Sequence, residues 1–135
     1  MAEKYRVKCP VCGTVSNLIG TDLCPRCSTK MDLGSQGMLH VYRMGNFLGF
    51  ASGFTIYIDH EKYGAIGNKE SLLIPLPFGP HLIHVVCGMN RKCNDPVFTL
   101  SPEDPYICAK IFMLPGVFQN KTNVERVDPA SMPPM

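Results

Sequence analysis

Phe54-Thr55-Ile56-Tyr57-Ile58, then Asp59-His60-Glu61-Lys62, then Tyr63-Gly64-Ala65-Ile66 is the stretch that decides the fold. Phe54, Ile56 and Ile58 fall on one face of an extended chain and Thr55 and Tyr57 on the other, the period of a half-buried strand. The four polar residues that follow make a turn, and the chain returns through Tyr63–Ile66 as a hairpin. Working outward, the same texture recurs. Leu39–Met44 precedes it, and Ser71–Leu76 and His81–Cys87 flank a Pro77-Phe78-Gly79-Pro80 corner. Val97–Leu100 and Tyr106–Leu114 come next, the latter alternating Ile107, Ala109, Ile111 and Met113 against Tyr106, Cys108, Lys110 and Phe112. Val117–Gln119 and Val124–Val127 form a short edge pair. Pro75 lacks a donor, so its strand lies at an edge or ends there. No segment supports a capped helix of ten residues. Seven or so short strands with frequent turns predict a small antiparallel β-sandwich or open barrel.

The first thirty residues follow a different logic. Cys9-Pro10-Val11-Cys12-Gly13 and Cys24-Pro25-Arg26-Cys27-Ser28 are two Cys-x-x-Cys knuckles separated by eleven residues. Two residues between thiols let both sulfurs of a tight turn face one centre, and two such turns close a tetrahedral S₄ shell around a soft d¹⁰ cation. Gly13 supplies the positive φ that turns backbone amides toward the sulfurs. Cys9, Cys12, Cys24 and Cys27 are therefore expected to hold one structural Zn²⁺. Iron in a rubredoxin-like site uses the same ligands, and spacing does not separate the two. Disulfides need an oxidising compartment, whereas Met1–Lys8 carries no apolar signal segment. A redox pair would follow a strand and open a helix, which these knuckles do not. Four thiolates leave no position for water or substrate, so the metal is expected to be structural.

The organisation predicted is mainly β, an N-terminal zinc ribbon followed by the sandwich. The ribbon spans 1–30, a polar, glycine-containing linker 31–37, the sandwich 38–127 and a proline-rich disordered tail 128–135. The 135 residues are 45% hydrophobic and 18% charged, a globular composition. The ribbon has only Val11, Val15, Leu18, Ile19 and Leu23 to pack, so metal must supply its folding energy, about 10–16 kcal/mol in finger peptides. No run approaches the roughly 20 apolar residues of a membrane helix. With no export signal, a cytoplasmic location is expected. The net charge of +2 is uneven: residues 1–30 carry +3 through Lys4, Arg6, Lys8, Arg26 and Lys30, and the remaining 105 carry −1.

The sandwich segment resembles PEGA-like domains and related small bacterial β-sandwich modules of unknown function. The resemblance rests on His40-Val41-Tyr42-Arg43, Phe47-Leu48-Gly49, Ile56-Tyr57-Ile58-Asp59, Tyr63-Gly64-Ala65-Ile66 and Pro77-Phe78-Gly79-Pro80-His81, and covers residues 39–87. The N-terminal part resembles short bacterial zinc ribbons, often joined to unrelated domains as adaptor modules. Neither resemblance brings catalytic residues to carry over.

Further residues carry side chains capable of chemistry. His81, His84 and Cys87 have metal-like spacing on a helix, but in a strand His84 faces away from the other two. A strand with one packed and one solvated histidine is the expectation. Cys93 sits in the turn Asn90-Arg91-Lys92-Cys93-Asn94-Asp95, where two cations could depress its pKa. Cys87 and Cys108 read as small strand residues, and Asp59, His60 and Glu61 as the polar tip of a hairpin. No phosphate loop, Ser-His-Asp set or dinucleotide fingerprint is present. The absence of tryptophan weakens carbohydrate binding. The chain is thus expected to be a non-enzymatic interaction or scaffold module with a protein partner, Lys8 and Arg26 being the candidate contact residues. Weak nucleic-acid binding through the five basic residues of the ribbon is the alternative.

Overall fold

Alternating apolar runs become strands in order along the chain. In the computed structural model, residues 4–31, 37–44, 54–67, 69–87, 93–114 and 121–132 are described, the side chains of Cys87, Met113, Leu114 and Lys121 excepted. The strands are β1 (Lys4–Lys8), β2 (Val15–Ile19), β3 (Gly37–Arg43), β4 (Phe54–Ile58), β5 (Glu61–Ile66), β6 (Ser71–Leu76), β7 (Gly79–Cys87), β8 (Val97–Leu100), β9 (Tyr106–Leu114) and β10 (Lys121–Val127). Among the described residues the one helical element is a 3₁₀ turn, Pro129–Ser131, capped by the Asp128 side chain on the Ala130 amide. That turn occupies part of the segment expected to be a disordered tail. The Val117–Gln119 expectation and most of the linker (32–36) lie outside the described residues.

Two sheets form, one of six strands in the order β10-β9-β3-β6-β1-β2 and one of four in the order β5-β4-β7-β8. The fold is mainly β, as the alternation implies, but the larger sheet is mixed, not antiparallel throughout. β3 runs parallel to β9 from Met38↔Tyr106 to Arg43↔Ile111, and β1 meets β6 in parallel at Tyr5↔Leu73. A parallel neighbour requires a crossover connection. Between β3 and β9 the chain builds β4, β5, β7 and β8, the whole second sheet.

Side chains from facing strands interdigitate into one core. Phe54, Ile56 and Ile58 of β4 and Ile83 and Val85 of β7 meet Leu39 and Val41 of β3, Ile74 of β6, and Ile107 and Ile111 of β9. Each is almost wholly removed from water, worth roughly 1.5–3 kcal/mol per side chain. Arg43 is a fully buried charged residue beside this interior. Its guanidinium lies 3.9 Å from the Phe54 ring centroid and donates to the Ile66 carbonyl, so a side chain of one sheet reaches two adjacent strands of the other, β4 and β5. Pro75 sits in β6, an interior strand, yet β1 is in register with β6 only at Leu73. Two residues on, β6 is again an edge on that side, which is where a proline is tolerated.

The polar hairpin tip has a structural use. Asp59, at φ 53°, accepts from the Leu82 amide and stands 2.6 Å from Nδ1 of the buried His81, whose Nε2 lies 2.7 Å from the Pro77 carbonyl. Partial burial opposes the Asp59 charge, but the Leu82 amide and His81 outweigh it and hold the carboxyl below its usual range. These contacts clasp the β4–β5 turn to β7. His81 is packed and His84 half-exposed, on opposite faces of a strand.

Candidate metal centre

The two knuckles are built alike. Cys9 N donates to Thr14 O and Gly13 N to Cys9 O; Cys24 N donates to Thr29 O and Ser28 N to Cys24 O, all at 2.8–2.9 Å. Each loop needs a left-handed residue directly after its second cysteine. Gly13 takes it at φ 76°, and Ser28, which the sequence did not mark, takes it at φ 63°. The Cys12 amide points at Cys9 Sγ, 3.4 Å away, a contact that favours negative sulfur.

The four thiols converge. Cys9 and Cys27 sulfurs are 3.5 Å apart, and those of Cys12 and Cys24 3.7 Å. Four sulfurs held about 2.3 Å from one ion in a tetrahedron stand about 3.8 Å apart, so the observed spacing fits a metal with little adjustment. The electrostatics suit a cation as well. The Thr14 hydroxyl and amide pull Cys12 down to about 6, and Thr29 lowers Cys27 in the same way. Cys24 is raised: the Cys27 and Arg26 amides favour its thiolate, but burial and the adjoining thiols of Cys12 and Cys27 prevail. Crowded sulfurs cannot all ionise without a positive centre among them.

Around the cluster lies a small second core of Val7, Cys9, Leu18, Cys24 and Met31, with Tyr5 and Cys12 packed on it. This differs from the apolar set expected from sequence. Leu18 is buried, but Val11, Ile19 and Leu23 are 71%, 56% and 47% exposed, and Val15 packs against the sandwich core. The strand pair β1–β2 has one inward position every second residue, and the cysteines themselves occupy the space that larger side chains would fill.

The ribbon hairpin is also stitched to the sandwich. Lys4 pairs with Glu70 and Lys8 with Glu61, while the Arg6 guanidinium is held by Asn17 and the Ala65 carbonyl. Lys30 stands 3.9 Å from Asp22, and the exposed Arg26 donates to the Thr14 hydroxyl at 3.3 Å. The five cations expected to form one basic surface are thus spread over separate partners, and Arg6 is buried. Lys8 lines a groove of about 610 Å³ between the first knuckle and the sandwich, walled also by Pro10, Val11, Tyr63, Pro75 and Pro77.

Cys93, read from sequence as a loop cysteine whose pKa two neighbouring cations could depress, is half-buried and accepts from the Val85 amide at 3.4 Å. Burial pushes its pKa up, the opposite of activation; Arg91 and Lys92 lie outside the described residues. Cys108 is raised for the same reason.

Fold and site together define a mainly β protein with a cluster of four cysteines able to hold a metal ion. Comparison with protein-family models, curated proteins and solved structures gives no match for this chain.

Proposed function

We propose that the chain is a zinc-stabilised interaction module, non-enzymatic, whose closed metal centre presents the first knuckle to a protein partner. The convergence of four sulfurs carries this reading. A shell of four thiolates leaves the ion no open position, so its work is to fix backbone. The backbone it fixes is Pro10-Val11, which projects an apolar side chain at the rim of the groove walled by Tyr63, Pro75 and Pro77. Rigid apolar surface beside proline and tyrosine suits an extended apolar segment of a protein partner. The nucleic-acid alternative has less support, because three of the five ribbon cations are matched by carboxylates and a fourth is buried.

Purified protein should carry about one zinc at this site with four sulfur neighbours by X-ray absorption. Nitrogen neighbours there, or a cluster free of metal, overturns the centre. For the function, Val11→Glu should leave metal content and folding intact and abolish partner capture, and Cys24→Ser should abolish both. Capture indifferent to both variants overturns the reading. Nucleic-acid binding should be no tighter than about 10 μM at physiological salt. Submicromolar binding lost on Arg26→Glu favours the alternative.

A further inference from the structure

A second group of donors lies outside the two knuckles. His84, on β7, meets Cys93 and Asp95 from the segment that leads into β8, and one ligand atom of each lies within 4.8 Å of the others. His84 Nδ1 is already 2.6 Å from Asp95 Oδ1. We infer that His84, Cys93 and Asp95 form a second metal site, for a zinc-class divalent cation held by three protein donors with a fourth position open.

The trio is held in place by the fold. Asn94, between the two loop ligands, accepts from the Val124 amide and donates to the Val124 carbonyl, completing a ladder to β10 with its side chain. Cys93 makes a parallel bridge with Thr122, and the Pro96 carbonyl accepts from the Ile83 amide on β7. The ligand-bearing segment is therefore fastened on both sides of Asp95, which itself takes a left-handed φ of 48°. Donors fixed by backbone on neighbouring strands are what a metal site requires.

The chemistry of the donor set is specific. Imidazole, thiolate and carboxylate together match zinc and its borderline neighbours; calcium and magnesium take oxygen alone. The Val85 amide points at Cys93 Sγ from 3.4 Å, the same distance at which the Cys12 amide points at Cys9 Sγ in the first centre. Donors about 2.0–2.3 Å from an ion stand about 3.3–3.8 Å apart, so on binding the His84–Asp95 pair opens while the wider pairs close by up to about an ångström. The raised thiol of Cys93 gives up its proton to solvent when the cation arrives, which makes binding release a proton.

Where the first centre is closed, this one opens on a cavity. His84 and Asp95 line a hollow of about 250 Å³ together with Tyr57, His60 and Leu82. The vacant fourth position is filled by water or a small anion. His60 and Tyr57 stand in the wall of that hollow.

The test uses the full chain with the first centre filled by one equivalent of Zn²⁺, then titrated with Co²⁺. A second equivalent should bind with a thiolate-to-cobalt charge-transfer band of one-sulfur intensity. Cys93→Ser should remove the band, and His84→Gln and Asp95→Asn should each weaken binding beyond the ~10–100-fold typical of outer-shell partners. Cys108→Ser should change nothing. Saturation at one equivalent in the wild-type chain, a second equivalent without the sulfur band, or a band that survives Cys93→Ser overturns the site. Should Cys93→Ser not fold, the wild-type spectrum and the half-exposed His84→Gln decide alone.

Discussion

Two residues do the same work in the two knuckles at different cost. A side chain added at Gly13 would meet no atom within 4 Å, so space is not what requires glycine there. The requirement is φ 76°, a region that costs an L-residue roughly 1–2 kcal/mol. Gly13→Ala should therefore destabilise the metal-bound ribbon by about 1 kcal/mol, and Ser28→Gly should stabilise it by a comparable amount. Zinc affinity by competition with a chelating dye, alongside thermal melts, reads both; equal and same-signed effects would show that the left-handed turns do not govern the knuckles. The example also marks what the residue scale discloses. Cys9, Cys12, Cys24 and Cys27 were legible because their spacing is local, and so was Gly13. Ser28 was not, because serine takes many conformations and only the repeated hydrogen-bond pattern assigns it one. Arg43 was hidden for a related reason: nothing in Tyr42-Arg43 announces that the guanidinium turns inward to lie on Phe54.

Strands were legible wherever one face is buried, as in Phe54–Ile58 and Ile107–Ile111, since alternation records burial directly. Partners were not. The parallel match of β3 with β9 and the meeting of β1 with β6 join segments whose individual patterns carry no record of one another. The same blindness compared His84 only with His81 and Cys87, its neighbours in sequence, and rightly set it apart from them, but did not disclose its neighbours in space, Cys93 and Asp95. The β1–β6 junction leaves a measurable trace. Burial opposes the Glu70 charge, but Lys4, the Gly67 amide and the Arg6 charge overcome it and lower the Glu70 pKa. A carboxyl depressed in the folded state stabilises above its unfolded value, about 4.3, and that contribution fades as pH falls through the folded one. Glu70→Gln should thus be less stable than wild type at pH 7 and should converge with it toward pH 3. Acid protonates the four-cysteine cluster alike in both chains, so the difference between their denaturation midpoints isolates Glu70. A constant difference across that range would place the Lys4–Glu70 pair outside the folding equilibrium.

At the level of the whole molecule the two cores are unequal. Among the described residues seventeen form the sandwich core and five the ribbon core, two of those five being cysteines of the four-thiol cluster. Removing the ion should melt β1 and β2 and leave the sandwich, though not untouched, since Tyr5, Lys4, Arg6 and Lys8 would release β6, Glu70, Ala65 and Glu61. Amide exchange after chelation should lose protection across β1 and β2, keep it in β9, and lose part of it in β6. Uniform loss would mean that the ribbon is needed for any of the fold to stand. No helix among the described residues is long and apolar enough to cross a membrane. The crossover sheet bears on how the molecule is made. Lys4 and Glu70 are 66 positions apart, as are His40 and Tyr106 on the parallel pair, whereas Cys9 and Cys27 are separated by 18. Chain closures that long place folding on the millisecond-to-second scale of non-local β proteins. The knuckles need no such wait. On a ribosome the two knuckles can close on each other while β3 to β10 are still being translated, so on the proposed reading the ion is gathered before either sheet is complete.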